Sequence, residues 1–336
     1  MRLISYVLRD IGDILWGSHI RTFELTRSLG AILIQGTKSR RLLNIGKEMH
    51  MLLRSDAILI FGYRALFYDS IMFDILHRRK CNLFFDMADI PHLQPVFFGV
   101  DVSKEKQRIM QENFNELLDT SDTLLSISPS LVSLLNMDDL AKRTVFVPNA
   151  ANPKFFKKTP MPKAEKKMIL YVGGYAPMRG LELLVEAFGL LYSKRKDLML
   201  KLVGPNIPAN MQKDGIVIER STYYPEMPDT YSGSYVCVIP HMKNPYMDAA
   251  LPIKLFDAMA SARPVISTNC YEAGKLVEDE KCGLVTECAS QSLAESIDYL
   301  LDNQAIAEEM GERGREAVEK RHSWDHRAQA IIEQIQ

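Results

Sequence analysis

The sequence predicts an α/β protein made of two doubly wound parallel-sheet domains in succession. Three observations carry that expectation. Apolar runs of strand length alternate with longer stretches of helical period through the whole chain. The pattern breaks once, at a Lys- and Pro-rich stretch, and then restarts. The length, 336 residues, suits about two cores rather than one.

In the first half the runs are "RLISYVL", "AILIQG", "DAILIFG", "CNLFFDM", "TLLSIS" and "RTVFVPN". They are short and nearly continuous in apolar residues, as strands are when helices cover both faces of a sheet. Residues 152 to 167, "NPKFFKKTPMPKAEKK", lack periodicity and read as a linker. "MILYVGG", "LMLKLVG", "GIVIERS", "YVCVIP" and "PVIST" are the strands of the second half. They are separated by the helix "GLELLVEAFGLLYSKRKD", a shorter one near 225 to 233, and one opening "LPIKLFDAMA". Ser290 to Arg321 is mostly helical, and "SWDHRAQAIIEQIQ" is a last amphipathic helix after a Ser cap. The expected division is 1–155, 156–320, and a closing helix over 321–336.

Composition excludes several classes of function. A formal net charge of -1 argues against a general nucleic-acid binder, and 47% hydrophobic with 25% charged residues is ordinary for a globular protein. Five scattered cysteines without a repeated C-x-x-C suggest neither a disulfide framework nor a zinc site, so a reducing cytoplasm is expected. The N-terminal apolar run is too short for a signal peptide, and no stretch reaches the ~18 apolar residues of a membrane span. "ALFYDSIMFDILHRRK" (65 to 80) is apolar with a basic end. It fits an interfacial helix giving peripheral contact at the inner membrane face, or a core helix whose basic end suits its dipole.

Open α/β sheets bind ligands beyond the carboxyl ends of their strands, so the loops there are where chemistry is sought, in a cleft facing both sheets. "GGYAPMRG" (173 to 180) leaves the first strand of the second domain and enters a helix. Paired glycines admit backbone amides to a ligand, the helix end offers unpaired N–H groups to an anion, and Arg179 adds a cation. The alternative is an ordinary turn with a solvated Arg179.

In "LPIKLFDAMASARPVIS" (251 to 267), Pro252 suits a first helical turn, and Leu255, Ala258, Met259 and Ala262 form the inward stripe. Lys254 and Asp257 then face the rim. As an i,i+3 pair with Lys first they are worth only about 0.2 to 0.5 kcal/mol. A lysine against the helix dipole costs about 0.3 to 1 kcal/mol. An anion between Lys254 and the helix end removes both penalties and leaves Asp257 one turn on to meet ligand hydroxyls.

"VPNAANPKFF", "YVGGYAPMRGLELLVEAF", "LKLVG" and "LPIKLFDAMASARPVIS", in this order and spacing, resemble the C-terminal half of the family 4 glycosyltransferases of GT-B fold, in the pattern of a Pro-x-Lys-Leu-Phe subgroup. "GDILWGSHIRTFELTRSLG", "LFFDMADIP" and "DTLLSIS", ending in Ser128, resemble that family's first-domain segments, and "RHSWDHRAQAIIEQI" its closing helix, which crosses back to the first domain. The resemblance implies two Rossmann-like domains, the first for acceptor and the second for donor. It implies a retaining transfer of a sugar from a nucleoside diphosphate sugar to a hydroxyl acceptor in polysaccharide, glycan or lipid-linked glycan synthesis. No metal and no further cofactor are implied.

By that likeness Arg179 and Lys254 hold the diphosphate and serve catalysis, Asp257 takes the ribose, and Gly173, Gly174 and Gly204 shape the donor loops. Amides of Leu251, Pro252 and Ile253 meet the sugar and phosphates, and Gly17, His19 and Asp89 lie on the acceptor or sugar side. The family's Arg after the first loop glycine is Gly174 here, and its paired glutamates are Ala249, beside Asp248, and Asp257. Its first-domain His is replaced at Ala88 and Asp89. His19 and His241 either face ligand or are ordinary capping or surface histidines, and Asp86 and Asp89 lack a third metal ligand nearby. A binding partner without catalysis, and a nucleotide-sugar 2-epimerase, are the competing functions.

Overall fold

A computed structural model describes residues 1–7, 17–35, 50–62, 81–137, 139–220 and 223–335. The chain forms two compact units, Met1–Pro148 with Trp324–Gln336, and Asn149–Ser323. The segment 65–80, in which an interfacial helix was one expectation, lies outside the described residues. So do residues 12–16 of the first glycine loop.

Unit 1 holds strands β1 (Leu3–Val7), β2 (Ile32–Gln35), β3 (Ala57–Phe61), β4 (Asn82–Met87), β5 (Thr123–Ser126) and β6 (Thr144–Phe146), all parallel in the order β2-β1-β3-β4-β5-β6. Every residue of β3 is buried, which is why the strand reads as an uninterrupted apolar run. Helix Lys104–Thr120 begins at Ser103, whose side chain accepts from the Lys106 N–H, and it seats Phe114, Leu117 and Leu118 in the core.

Unit 2 repeats the design with β7 (Lys167–Val172), β8 (Leu198–Val203), β9 (Ile216–Glu219), β10 (Val236–Ile239), β11 (Val265–Thr268) and β12 (Gly283–Thr286), in the order β12-β11-β10-β7-β8-β9. The winding reverses between β7 and β10. At such a reversal the loops leaving two neighbouring strands diverge and open a crevice at their carboxyl ends. Those loops are 173–180 after β7 and 240–252 after β10.

The expected strands of the second half are present, with one addition. The strand at residues 283–286 was not foreseen: it is half-buried along most of its length and opens on a glycine, so its short apolar run does not stand out. Its Gly283 is there for close approach, since a Cβ would stand 1.7 Å from the Val265 carbonyl oxygen of β11.

The Lys- and Pro-rich stretch expected as a linker is held inside unit 2. Phe156 is fully buried against Tyr224 and Tyr231, and Met161 joins the core. The buried Arg263 donates to the Thr159 and Pro160 carbonyls and to those of Tyr231 and Ser232. The apolar residues of the stretch are anchored while Lys154, Lys157, Lys158, Lys163 and Lys166 stay exposed, and composition alone does not separate that arrangement from a free linker.

Candidate functional site

β7 ends at a glycine crossing. Gly173 has φ 147° and Gly204, at the end of β8, has φ 155°. A Cβ on Gly204 would lie 2.1 Å from the Gly173 carbonyl oxygen, so the two backbones touch and neither tolerates a side chain. Arg179 Nη1 and the Tyr171 hydroxyl both donate to the Gly174 carbonyl, at 3.0 and 3.3 Å, which fixes the loop in a tight curl. Gly180, with φ 68°, precedes helix Leu181–Tyr192; a Cβ there would meet the Pro240 carbonyl oxygen at 1.7 Å. The Met242 N–H donates to the Met178 carbonyl at 2.9 Å. The β7 and β10 loops thus form one surface.

Lys254, in the first turn of helix Ile253–Ala260, extends onto that surface. Its Nζ sits 4.1 Å from the centroid of the Tyr171 ring and 3.3 Å from where a Gly173 Cβ would be. The ring face gives the ammonium about 0.5 to 2 kcal/mol of attraction, a partial answer to the unfavourable helix end. Among the described residues no carboxylate forms an ion pair with Lys254 or Arg179. Burial first, and then the Arg179 charge, push the Lys254 pKa well below its ordinary value. His241, 4% exposed just beyond β10, is pushed well down by burial, then Lys254, then Arg179, so it is neutral. Its Nδ1 is buried without a hydrogen-bond partner. Burial raises the Tyr171 hydroxyl against the opposing effect of Arg179. Two cations, a neutral imidazole and a glycine loop therefore surround a region short of negative charge, as a site for an anion requires.

Leu251 is held by Asn149, whose Nδ2 donates to its carbonyl at 2.7 Å. Ile253 opens the helix, so its N–H has no intrahelical acceptor. Pro252 has no N–H and can give a ligand only its ring and carbonyl, which corrects the expectation of an amide there.

Asp257 also departs from expectation. It is 4% exposed rather than on the rim, and its charge acts on Tyr231 and Cys237, raising both beneath the burial effect. The helix is buried on nearly every side; only Lys254, at its tip, emerges. Nearby, Ala249 is fully buried, and Asp248 is committed to capping, its Oδ1 accepting from the Tyr271 N–H at 3.0 Å.

The remaining expected residues belong to unit 1. Gly17 is the first residue of helix Gly17–Leu29, His19 is half-buried in its first turn, and Asp89 is half-buried after β4. Ser128 is buried and its Oγ accepts from the Leu131 N–H, capping helix Pro129–Ser133. Asp86 pairs with Arg21, Nη2 to Oδ1 at 2.7 Å and Nε to Oδ2 at 2.9 Å, with both residues buried. Asp86 is accordingly a structural partner. Among the described residues no group of three potential metal ligands occurs. Arg21, Tyr171 and the burial of His241 were not foreseen; for Tyr171 the usable signal was its place beside the loop in "ILYVGG".

Known proteins resemble this chain in sequence and in fold. The family described as glycosyl transferases group 1 matches residues 153–317. An uncharacterized glycosyltransferase of Methanocaldococcus jannaschii is 24% identical over 242 residues, covering 70% of this chain and 65% of the relative. The capsular polysaccharide biosynthesis glycosyltransferase CapM of Staphylococcus aureus is 25% identical over 238 residues, 63% of this chain and 60% of CapM. The chain thus spans somewhat under two thirds of these curated relatives. Among solved structures, Anabaena HepE in complex with UDP-glucose superposes with a TM-score of 0.75 at 14% identity, covering 100% of this chain and 99% of HepE. The sucrose-phosphate synthase of Thermosynechococcus elongatus gives 0.73 at 17%, covering 99% and 98%. These likenesses establish the GT-B fold.

Proposed function

Residues 153–317 belong to the glycosyl transferases group 1 family, and from that premise we propose that this chain transfers a sugar from a nucleoside diphosphate sugar to a hydroxyl acceptor, with retention and without a metal. The observation that carries the reading is the pair Lys254 and Arg179, unpaired with any carboxylate among the described residues and set around the Gly173–Gly174 loop at the reversal of the sheet. Support comes also from HepE, a protein of the same fold whose structures hold UDP-glucose and UDP.

As the bond between sugar and β-phosphate breaks, negative charge grows on that phosphate. Lys254, Arg179 and the N–H groups at the start of helix Ile253–Ala260 stabilise it more than they stabilise the intact donor. The phosphate then accepts the acceptor's proton on the same face, so no protein carboxylate need act as base. Gly173, Gly174 and Gly204 give the diphosphate backbone to lie against, and Leu251 and Ile253 offer amides. Asp257 reaches a ribose only from its buried position. Acceptor recognition falls to unit 1, with Gly17, His19 and Asp89 its first residues to test. A polysaccharide acceptor is favoured by the likeness to CapM, a glycosyltransferase of capsular polysaccharide biosynthesis, and a lipid-linked glycan is the other candidate. Work takes place in the cytoplasm or at its membrane face; among the described residues no helix is long and apolar enough to cross a bilayer.

The test is thermal protection by a panel of nucleoside diphosphates and their sugars, followed by donor hydrolysis. Protection by one of them, weakened about tenfold or more in apparent affinity by Arg179→Ala and by Lys254→Ala, is the expected result. No protection by any member overturns the reading. A second reading, donor binding without transfer, is favoured by Ala249 standing where the family has a glutamate and by Asp248 being spent on a cap. Protection without measurable hydrolysis or transfer would select it.

A further inference from the structure

Beyond the anion region, the edge of the unit 2 sheet carries two thiols that the proposed reaction does not use. β11 and β12 run parallel, with Thr268 opposite Thr286 as their last pair. The Asn269 N–H still donates to the Thr286 carbonyl at 2.9 Å, and Cys270 and Cys288 each stand two residues beyond that last pair. As thiols, both sulfurs donate to one acceptor, the His241 carbonyl oxygen, at 3.5 Å from Cys270 and 3.4 Å from Cys288, and Cys288 also reaches Asn269 Oδ1 at 3.5 Å. Thr268 Oγ1 is the third donor to that oxygen, at 2.6 Å.

The two are unequal. Cys270 is fully buried, whereas Cys288 is half-buried. The Cys270 thiol, with the Lys243 backbone N–H and ammonium behind it, lowers the Cys288 pKa against burial; Cys270 is raised by the same contact and by burial. Cys288 is thus the more accessible and more readily ionised of the two thiols, giving up its bond to the His241 carbonyl when it ionises, and Cys270 is the protected one beside it. Cys237 and Cys282 of the same unit are buried, their pKa values raised to about 12 by burial, which makes them inert controls.

We propose that Cys270 and Cys288 form an oxidation site for small hydroperoxides, with Cys288 as the attacking thiolate, Cys270 as the resolving thiol, and a disulfide as the product. The Cys288 sulfur attacks the terminal peroxide oxygen, the O–O bond breaks, and the leaving oxide takes a proton to give water or an alcohol, leaving Cys288 as sulfenic acid. Cys270 attacks that sulfur, the S–S bond forms, and hydroxide leaves with the Cys270 proton as water. Two thiols lose two electrons and the peroxide gains them. The disulfide has no S–H, so the His241 carbonyl loses two of its three donors. The segment carrying the His241 ring beside Lys254 and Arg179 is released.

The test treats the whole reduced protein with hydrogen peroxide, alkylates it under denaturing conditions and maps the peptides. A Cys270–Cys288 linked pair two hydrogens lighter than the two thiol peptides is expected, with Cys237 and Cys282 still alkylated. Cys270→Ser should instead accumulate a dimedone-reactive Cys288, and Cys288→Ser should leave Cys270 alkylatable. Recovery of both cysteines as free thiols, or oxidation spread evenly over all five, overturns the proposal. Hydrogen exchange reads the second step independently of any nucleotide. Residues 239–243 should exchange several-fold faster after oxidation, and an unchanged rate overturns the release of His241.

Discussion

At the scale of single residues, Lys254 and His241 tie the anion region to pH. Both are basic groups whose pKa values are pushed down by burial and by neighbouring cations. A bound diphosphate reverses the second cause, so binding should draw protons onto the protein. At pH 8 the terminal phosphate, with a second pKa near ~6, is already ionised and supplies none. Calorimetry in buffers of differing ionisation enthalpy should therefore show net proton uptake on nucleoside diphosphate binding, reduced in His241→Gln; a zero slope in the wild type would refute it. The ligand-free protein carries the matching stability dependence. A His with a folded pKa below its unfolded value of about 6.5 stays neutral while the unfolded chain takes a proton. The stability it contributes is present above about pH 6.5 and lost as pH falls below it, and His241→Gln should flatten that fall. Half-buried Lys254 and neutral His241 also show what one sequence position hides. "LPIKLFDAM" displays the lysine, but the depth of Asp257 depends on Tyr231 and on Cys237 of β10, which lie elsewhere in the chain.

At the scale of elements, the loops after β7 and β10 are held at their spacing by glycines more than by side-chain bonds. Gly180 combines a left-handed φ of 68° with a Cβ position 1.7 Å from the Pro240 carbonyl oxygen, and backbone cannot yield as a flexible side chain can. Gly180→Ala should therefore cost more than the about 1 kcal/mol of left-handed strain alone and move the loops apart. Gly189→Ala, in the middle of the following helix with open space around it, should be neutral or stabilising by up to about 1 kcal/mol. Chemical denaturation of the two variants checks the contrast, and equal midpoints would remove glycine from the account of the site. These elements were legible in the sequence because their signals are local: paired glycines after an apolar run, a proline opening a helical stripe. The strand at 283–286 was not, since its evidence is the crowding of Gly283 against β11. The linker reading of 152–167 failed for the same reason, its anchors being Arg263 and the aromatic pair Tyr224 and Tyr231.

At the scale of the molecule, the chain closes one unit with residues from its far end. Helix Trp324–Ile332 belongs to unit 1, where it lies along helix Gly17–Leu29. Ser28 Oγ donates to Asp325 Oδ1 at 2.8 Å, and Arg327 Nε donates to the Pro148 carbonyl at 3.0 Å. Burial, and then the Arg21 charge, bring the Arg327 pKa down to about 10. Trp324 is 1% exposed, so truncating it leaves a hole where the largest side chain of the segment stood. Trp324→Ala should cost about 3 to 5 kcal/mol, a large part of the roughly 5 to 15 kcal/mol that keeps a domain folded. For a unit of this size that is a fall of about 6 to 20 °C. Each unit has its own parallel sheet and its own core, so the loss should fall on unit 1 alone. Scanning calorimetry should resolve two transitions in the variant, with the lower one displaced and the nucleoside diphosphate-protected one unmoved. A single transition falling by the same amount with and without nucleotide would mean instead that the two sheets melt as one cooperative body, and that changes in unit 1 are felt in full at the β7 and β10 loops.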